Sequence, residues 1–357
     1  MQFPGLAKPS IGIVFDCAMG RIDDALALAM LHGFDGKNEA RIAAIGLCTS
    51  DLKAAQFCDV VGLFYASATT GVARIFMHLT PIGLDAGKPS ARSAGGSPML
   101  DGLLAKTGAD GKPVYSTTVR SVNDTADVST LIRNALTAQD DQNAVAVLTG
   151  PATDFAKLLD MYGLKDLISQ KVKLLCMAAG AFPDGPPEPN IKADIAAARR
   201  VLAGWSVPIV AVGYEIGTEL RFPGESIEKD FAWSTAHPVV DAYRAYQPMP
   251  YDAPSWAMAA MLYAVRPKEN YFKLSEPGTI IVSDDGRTSF AASDNGRHRY
   301  LILDPAQKER IIRTYTEIAS AKPVERKMRK PPQEKNDEKK EEKKEDTKEE
   351  KKQEPAN

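Results

Sequence analysis

Hydrophobic and polar positions along this chain follow two periods in turn. Apolar runs of strand length, several rich in branched residues, occur at Ile11 to Phe15, Arg41 to Thr49, Asn143 to Leu148, Lys171 to Ala178 and Pro208 to Val212. Between them, apolar residues at helical spacing predict helices over Leu52 to Ala66, Thr153 to Met161 and Asp194 to Trp205. Further helices are predicted over Pro254 to Val265 and Lys308 to Ser320. This alternation predicts an α/β fold with a mostly parallel, doubly wound sheet. Around Thr279 to Ser293 two strand-like runs flank Asp284-Asp285-Gly286, which predicts a C-terminal β-hairpin. The Gly/Pro/Ser-rich stretch Pro81 to Gly111 is expected to be irregular.

Composition narrows the function classes. The 357 residues are 44% hydrophobic and 25% charged, with a net charge of −2. These are values of an ordinary folded protein with a sizeable core, and they argue against nucleic-acid or membrane attraction. Residues 322–357 carry 13 basic and 11 acidic side chains and almost nothing apolar. That segment is read as a largely disordered Lys/Glu-rich tail, and 1–321 as the folded domain. The cysteines Cys17, Cys48, Cys58 and Cys176 lie in apolar surroundings without CxxC spacing, as buried free thiols do in a reducing compartment. No signal peptide or membrane span is read, so a cytoplasmic location is expected. His32, His78, His237 and His298 show no metal-ligand spacing.

The candidate chemistry gathers after the first strand. Asp16-Cys17-Ala18-Met19-Gly20-Arg21-Ile22-Asp23-Asp24 sets three carboxylates at the carboxyl end of a strand, where open α/β sheets hold ligands. Gly20 is expected to make the sharp turn, and Asp23 and Asp24 to open a helix whose dipole favours them.

This segment resembles the signature of the inosine-uridine-preferring nucleoside hydrolases, Asp-x-Asp-x-Gly followed by Asp-Asp-Ala. Three further segments are similar to the family's, in the family's order. Thr149-Gly150-Pro151-Ala152-Thr153-Asp154 resembles Thr-Gly-Pro-x-Thr-Asn, with Asp154 in place of Asn. Glu188-Pro189-Asn190 and Asp194 resemble Glu-x-Asn-x-x-x-Asp. Ser255-Trp256-Ala257, with Leu262-Tyr263, resembles a Ser-Trp-Asp segment. The resemblance spans roughly residues 11 to 265 and implies a Rossmann-like core. It also implies hydrolysis of the N-glycosidic bond of ribonucleosides, with Asp23 as the base for water. Asp16, Asp51, Glu188, Asn190 and Trp256 would bind substrate. Calcium is the family's cofactor, and here Asp24 and the Thr149 carbonyl would hold it.

Two of the family's calcium carboxylates are missing, because Ala18 and Ala257 stand at their positions. Calcium takes about 6–8 oxygen ligands, so it is expected to be absent or weakly held. Asp252 could substitute only if its loop turned inward, and otherwise reads as a surface residue. Arg21 lies beside the gap; its guanidinium could fill the metal position against Asp16, Asp23 or Asp24, or point to solvent. Two functions follow: a hydrolase with a reduced metal site, or a non-catalytic homologue that binds a riboside or serves a structural or regulatory role. A small-molecule riboside or nucleoside is the expected partner, and a homo-oligomer is expected by resemblance.

Overall fold

Strands buried on both faces form the centre of the structure, a computed structural model that describes residues 10–66, 80–85 and 96–323. The expected disordered tail therefore lies almost wholly outside the described residues. β1 (Ile11–Cys17), β2 (Ala40–Leu47), β3 (Ile82–Leu84), β4 (Ala144–Leu148), β5 (Val172–Ala178) and β6 (Ile209–Val212) pair in parallel in the order 3-2-1-4-5-6. Parallel strands covered by helices on both faces read as unbroken apolar runs, which is why most of them were visible in the sequence. The order reverses between β1 and β4, and open sheets bind ligands in the crevice at such a switch point.

Two cores result from the alternation of side chains along β1. Ile13, Phe15 and Cys17 enter one, with the helices Ile22–Gly36, Leu52–Ala66 and Trp256–Val265. Val14 enters the other, with the helices Val128–Thr137, Thr153–Asp160 and Ile195–Gly204. By the same alternation Asp16 belongs to the Val14 face. The helix Trp256–Val265 is buried on nearly all sides, as its apolar composition requires.

β7 (Arg221–Phe222) and β8 (Ala253–Pro254) form a small antiparallel pair. The expected hairpin is β10 (Gly278–Val282) and β11 (Thr288–Ala292), with Gly286 at φ 87° in its turn. β12 (His298–Ile302) joins the hairpin to the main sheet, antiparallel to β10 and parallel to β6, and β9 (Lys273–Leu274) pairs with β12. The stretch 81–111, expected to be irregular, contains β3 and a helix, Pro98–Leu104; residues 86–95 lie outside the described ones. Among the described residues no helix is long and apolar enough to cross a membrane.

Candidate active site

The carboxylate turn leaves β1 at the switch point. Met19, not Gly20, takes the left-handed conformation there, with φ 47°. Its side chain is fully buried in the core, and a non-glycine residue at positive φ persists only where such packing holds it. The helix Ile22–Gly36 then starts with Asp23 and Asp24 in its first turn, both buried.

Each element of the turn is engaged by a neighbour. Arg21 Nε lies 3.1 Å from Asp23 Oδ1, and the guanidinium carbon sits 5.0 Å from the centre of the Trp256 ring. Burial works against the charge on Arg21, but Asp23 foremost, then Asp24 and Glu188, hold the guanidinium protonated. The Ala257 backbone N–H donates to the other oxygen of Asp23 at 3.2 Å. Thr149 Oγ1 donates to Asp24 Oδ1 at 2.8 Å. Trp256 donates from its indole nitrogen to the Tyr214 carbonyl at 2.8 Å and stacks on the Tyr214 ring.

Glu188 and Asn190 lie in a short helix, Pro189–Ala193, rather than an open loop. The Glu188 carboxylate caps it, accepting from the backbone of Asn190 and Ile191. Asn190 Nδ2 donates to the carbonyls of Thr149 at 3.0 Å and Ala178 at 2.7 Å, tying the ends of β4 and β5 together. Asn190→Ala is expected to lower stability by about 2 kcal/mol, because it deprives two buried carbonyls of their donor; a urea midpoint unchanged from the parent would refute this.

The remaining candidates are more scattered. Asp51 caps the start of the helix Leu52–Ala66 through the Lys53 backbone. With Ala18, Arg21, Thr49, Ser97 and Leu100 it lines a cleft of about 150 Å³. The Thr153 hydroxyl donates to Asp194, which caps the helix Ile195–Gly204. Asp252 is exposed and accepts from the Gly224 backbone at 2.9 Å, away from the carboxylate turn.

Asp16 faces different company. It is fully buried, and its carboxylate, the Cys48 thiol and the Asp154 carboxylate each have a donor atom within 4.8 Å of the others. Burial, then Asp154 and Asp85, push the Asp16 carboxyl well above the usual range. Burial and Asp85 push Asp154 up to about 7, against the opposing pull of Lys157. In the sequence alone Asp154 stands where the motif has Asn, and Cys48 is expected to be a buried free thiol. The carboxylate itself, where the motif has an amide, was the one available signal that they belong to a cluster.

The sequence pattern of the inosine-uridine preferring nucleoside hydrolases matches residues 13–322. The chain belongs to that family. No curated protein matches this nucleoside hydrolase homologue in sequence. Among solved structures it is similar to the inosine-uridine preferring nucleoside hydrolase from Bacillus anthracis, at 15% identity and a TM-score of 0.61, covering 87% of this chain and 99% of that one. It is also similar to the plant nucleoside hydrolase PpNRh1, at 20% identity and a TM-score of 0.61, covering 88% and 100%. The type III effector XopQ, solved in complex with adenosine diphosphate ribose, shares the fold at 13% identity and a TM-score of 0.57, covering 88% and 95%.

The residues that the family resemblance would assign to calcium do not fit that ion. Ala18 and Ala257 offer no side-chain oxygen, the Thr149 carbonyl accepts from Asn190, and Asp24 accepts from Thr149. Calcium takes about 6–8 oxygens, and carboxylates supply most of its binding energy.

Proposed function

We propose that this nucleoside hydrolase homologue binds a riboside without calcium and has lost most or all of the family's N-glycosidic hydrolysis. The observation that carries this reading is the Arg21–Asp23 pair, at 3.1 Å, beside two alanines at ligand positions. On this reading the guanidinium stands in for the ion: it is a permanent cation that needs none from solution. Asp23 would be the base of the family reaction, but it is held by Arg21 and by the Ala257 N–H. Deprotonating water would require it to leave that pair, with no metal to lower the acidity barrier of the water.

The cleft supports a sugar-sized occupant. Its volume of about 150 Å³ falls below the roughly 300–1,000 Å³ of sites that enclose a drug-sized ligand. Asp51, Thr49, Ser97 and Arg21 offer the donors and acceptors that hydroxyls need. The ligand class is therefore a ribose-bearing small molecule, with a nucleoside or adenosine diphosphate ribose as the first to try. A homo-oligomer and a cytoplasmic location complete the proposal, in keeping with four free, buried thiols.

Calorimetric titration of Ca²⁺, and of ribose and adenosine diphosphate ribose with and without Ca²⁺, tests the reading. The expected result is no calcium heat and riboside binding that calcium leaves unchanged. Micromolar calcium binding, with release of free base from inosine or uridine, would restore the hydrolase reading.

A further inference from the structure

Behind the turn, on the Val14 face of the sheet, lies a second polar cluster, apart from the Arg21–Asp23 pair. Asp16 is the penultimate residue of β1, Cys48 follows β2, and Asp154 sits in the first turn of the helix after β4. We propose that Asp16, Cys48 and Asp154 form a binding site for a borderline divalent cation of the zinc type, separate from the family's calcium position.

Geometry carries the proposal first. The three donor atoms lie within 4.8 Å of one another and all three residues are at least 95% buried. A tetrahedral zinc with bonds of about 2.0–2.3 Å holds neighbouring donors roughly 3.3–3.8 Å apart, so modest side-chain shifts close the site. Two glycines leave space for the donors. A Cβ at Gly150 would lie 2.4 Å from Cys48 Sγ, and one at Gly46 would lie 2.3 Å from Asp16 Oδ2.

Unmet polar demand is the second, independent observation. Both carboxylate oxygens of Asp16 and one of Asp154 are buried without a hydrogen-bond partner. A buried carboxylate without a partner is costly, and native structures supply it with a cation, a proton or a donor. Asp85 lies within hydrogen-bond reach of Asp154 and adds a third carboxylate. Among the described residues Lys157 is the cation paired with this group, at 2.7 Å from Asp85 and 3.8 Å from Asp154, and it makes no ion pair with Asp16.

Donor type selects the ion. One thiolate and two carboxylates suit zinc or cobalt, whereas calcium requires more oxygens and does not favour sulfur. Binding converts the Cys48 thiol to thiolate and releases its proton, and any carboxyl proton, to solvent; no electrons move. Lys157, about half exposed, pairs with Asp85 at the edge of the cluster. An ion there would clamp β1, β2 and the helix Thr153–Asp160 beneath the ligand crevice.

The test uses the full chain after chelator treatment. Zinc is titrated in competition with a chromophoric chelator, and cobalt is followed by its optical spectrum. One equivalent per chain is expected, with a thiolate-to-cobalt charge-transfer band and no competition from calcium. Asp154→Asn and Cys48→Ser should each weaken zinc by at least about 100-fold, beyond the 10–100-fold typical of outer-shell changes. Cys176→Ser should leave it unchanged. Asp154→Asn is nearly isosteric, so it keeps the test valid if Cys48→Ser fails to fold. A folded chain with no zinc affinity, as expected if Asp16 and Asp154 merely share a proton, overturns the proposal. So does binding that neither variant weakens, or calcium competing on equal terms. Ribose titrations read the Arg21 cleft and zinc titrations read this cluster, so either proposal can fail alone.

Discussion

Arg21→Met is expected to destabilise the protein by about 3 kcal/mol in urea unfolding, the lower end of the range for breaking a buried ion pair. Methionine keeps the length and removes the charge. Asp23, 2% exposed, would then retain only the Ala257 N–H of its two donors, with Asp24 buried close by. The Arg21 side chain keeps 18% of its exposure, and the water this admits sets the expectation at the low end. Loss of the contact with the Trp256 ring adds about 0.5–1 kcal/mol. Neutralising the partner as well, in Arg21→Met/Asp23→Asn, should recover at least half of the loss, because the uncompensated charge is then gone. A single variant within about 0.5 kcal/mol of the parent, the usual range for surface substitutions, would mean that the guanidinium is solvated and stands in for nothing.

The same turn shows how far sequence carries. Asp16, Asp23 and Asp24 are near neighbours in the chain, so their common position at the end of β1 could be read directly. Which face each one serves could not. Asp16 goes to the Val14 face, away from the pair formed by Asp23 with Arg21, because strand side chains alternate. Its neighbours Cys48 and Asp154 are distant in sequence and meet it through the strand order 2-1-4, which local patterns do not encode. The turn also exchanged roles: burial of the Met19 side chain forces the positive φ onto a residue beside the available glycine.

Elements follow a similar rule. Strands buried on both faces, such as β1 and β4, were legible as apolar runs. β12, reading His-Arg-Tyr-Leu-Ile, mixes charge with apolar residues and gains its place by pairing with β6 and β10. The helices Val128–Thr137 and Pro238–Tyr246 carry β-branched residues that weaken intrinsic helix preference, and the packing of their buried faces decides them instead.

Acidification from pH 6.5 to pH 4 should cost the parent about 3 kcal/mol more stability than it costs a His237→Gln variant. Burial lowers His237 to about 4, while Asp241 pulls weakly the other way. Its ring is 2% exposed and boxed in by Phe64, Tyr65, Phe231 and Trp233. The Val239 backbone N–H donates to its Nδ1 at 3.2 Å, and the Tyr65 hydroxyl lies 3.5 Å from Nε2. A second proton on Nδ1 would point at that N–H donor, so the folded protein keeps the ring neutral. His32, stacked on Tyr65 at 4.5 Å, is lowered to about 3 by burial and by His237, and contributes a loss of the same sign. The sign follows from the protons bound. Below its ordinary value the unfolded histidine takes up a proton that the folded one refuses until about pH 4. At this site the unfolded chain therefore binds more protons across the window, so the contribution of His237 is full above it and is lost on acidification. Asp154, raised to about 7, and Asp16, pushed well above the usual range, act in the opposite sense, so the informative quantity is the difference between the parent and His237→Gln. Urea midpoints measured from pH 4.5 to pH 8 should show a steeper acid loss in the parent. Equal slopes in both proteins would mean that His237 protonates freely in the folded state and that its box of rings does not exclude the charge.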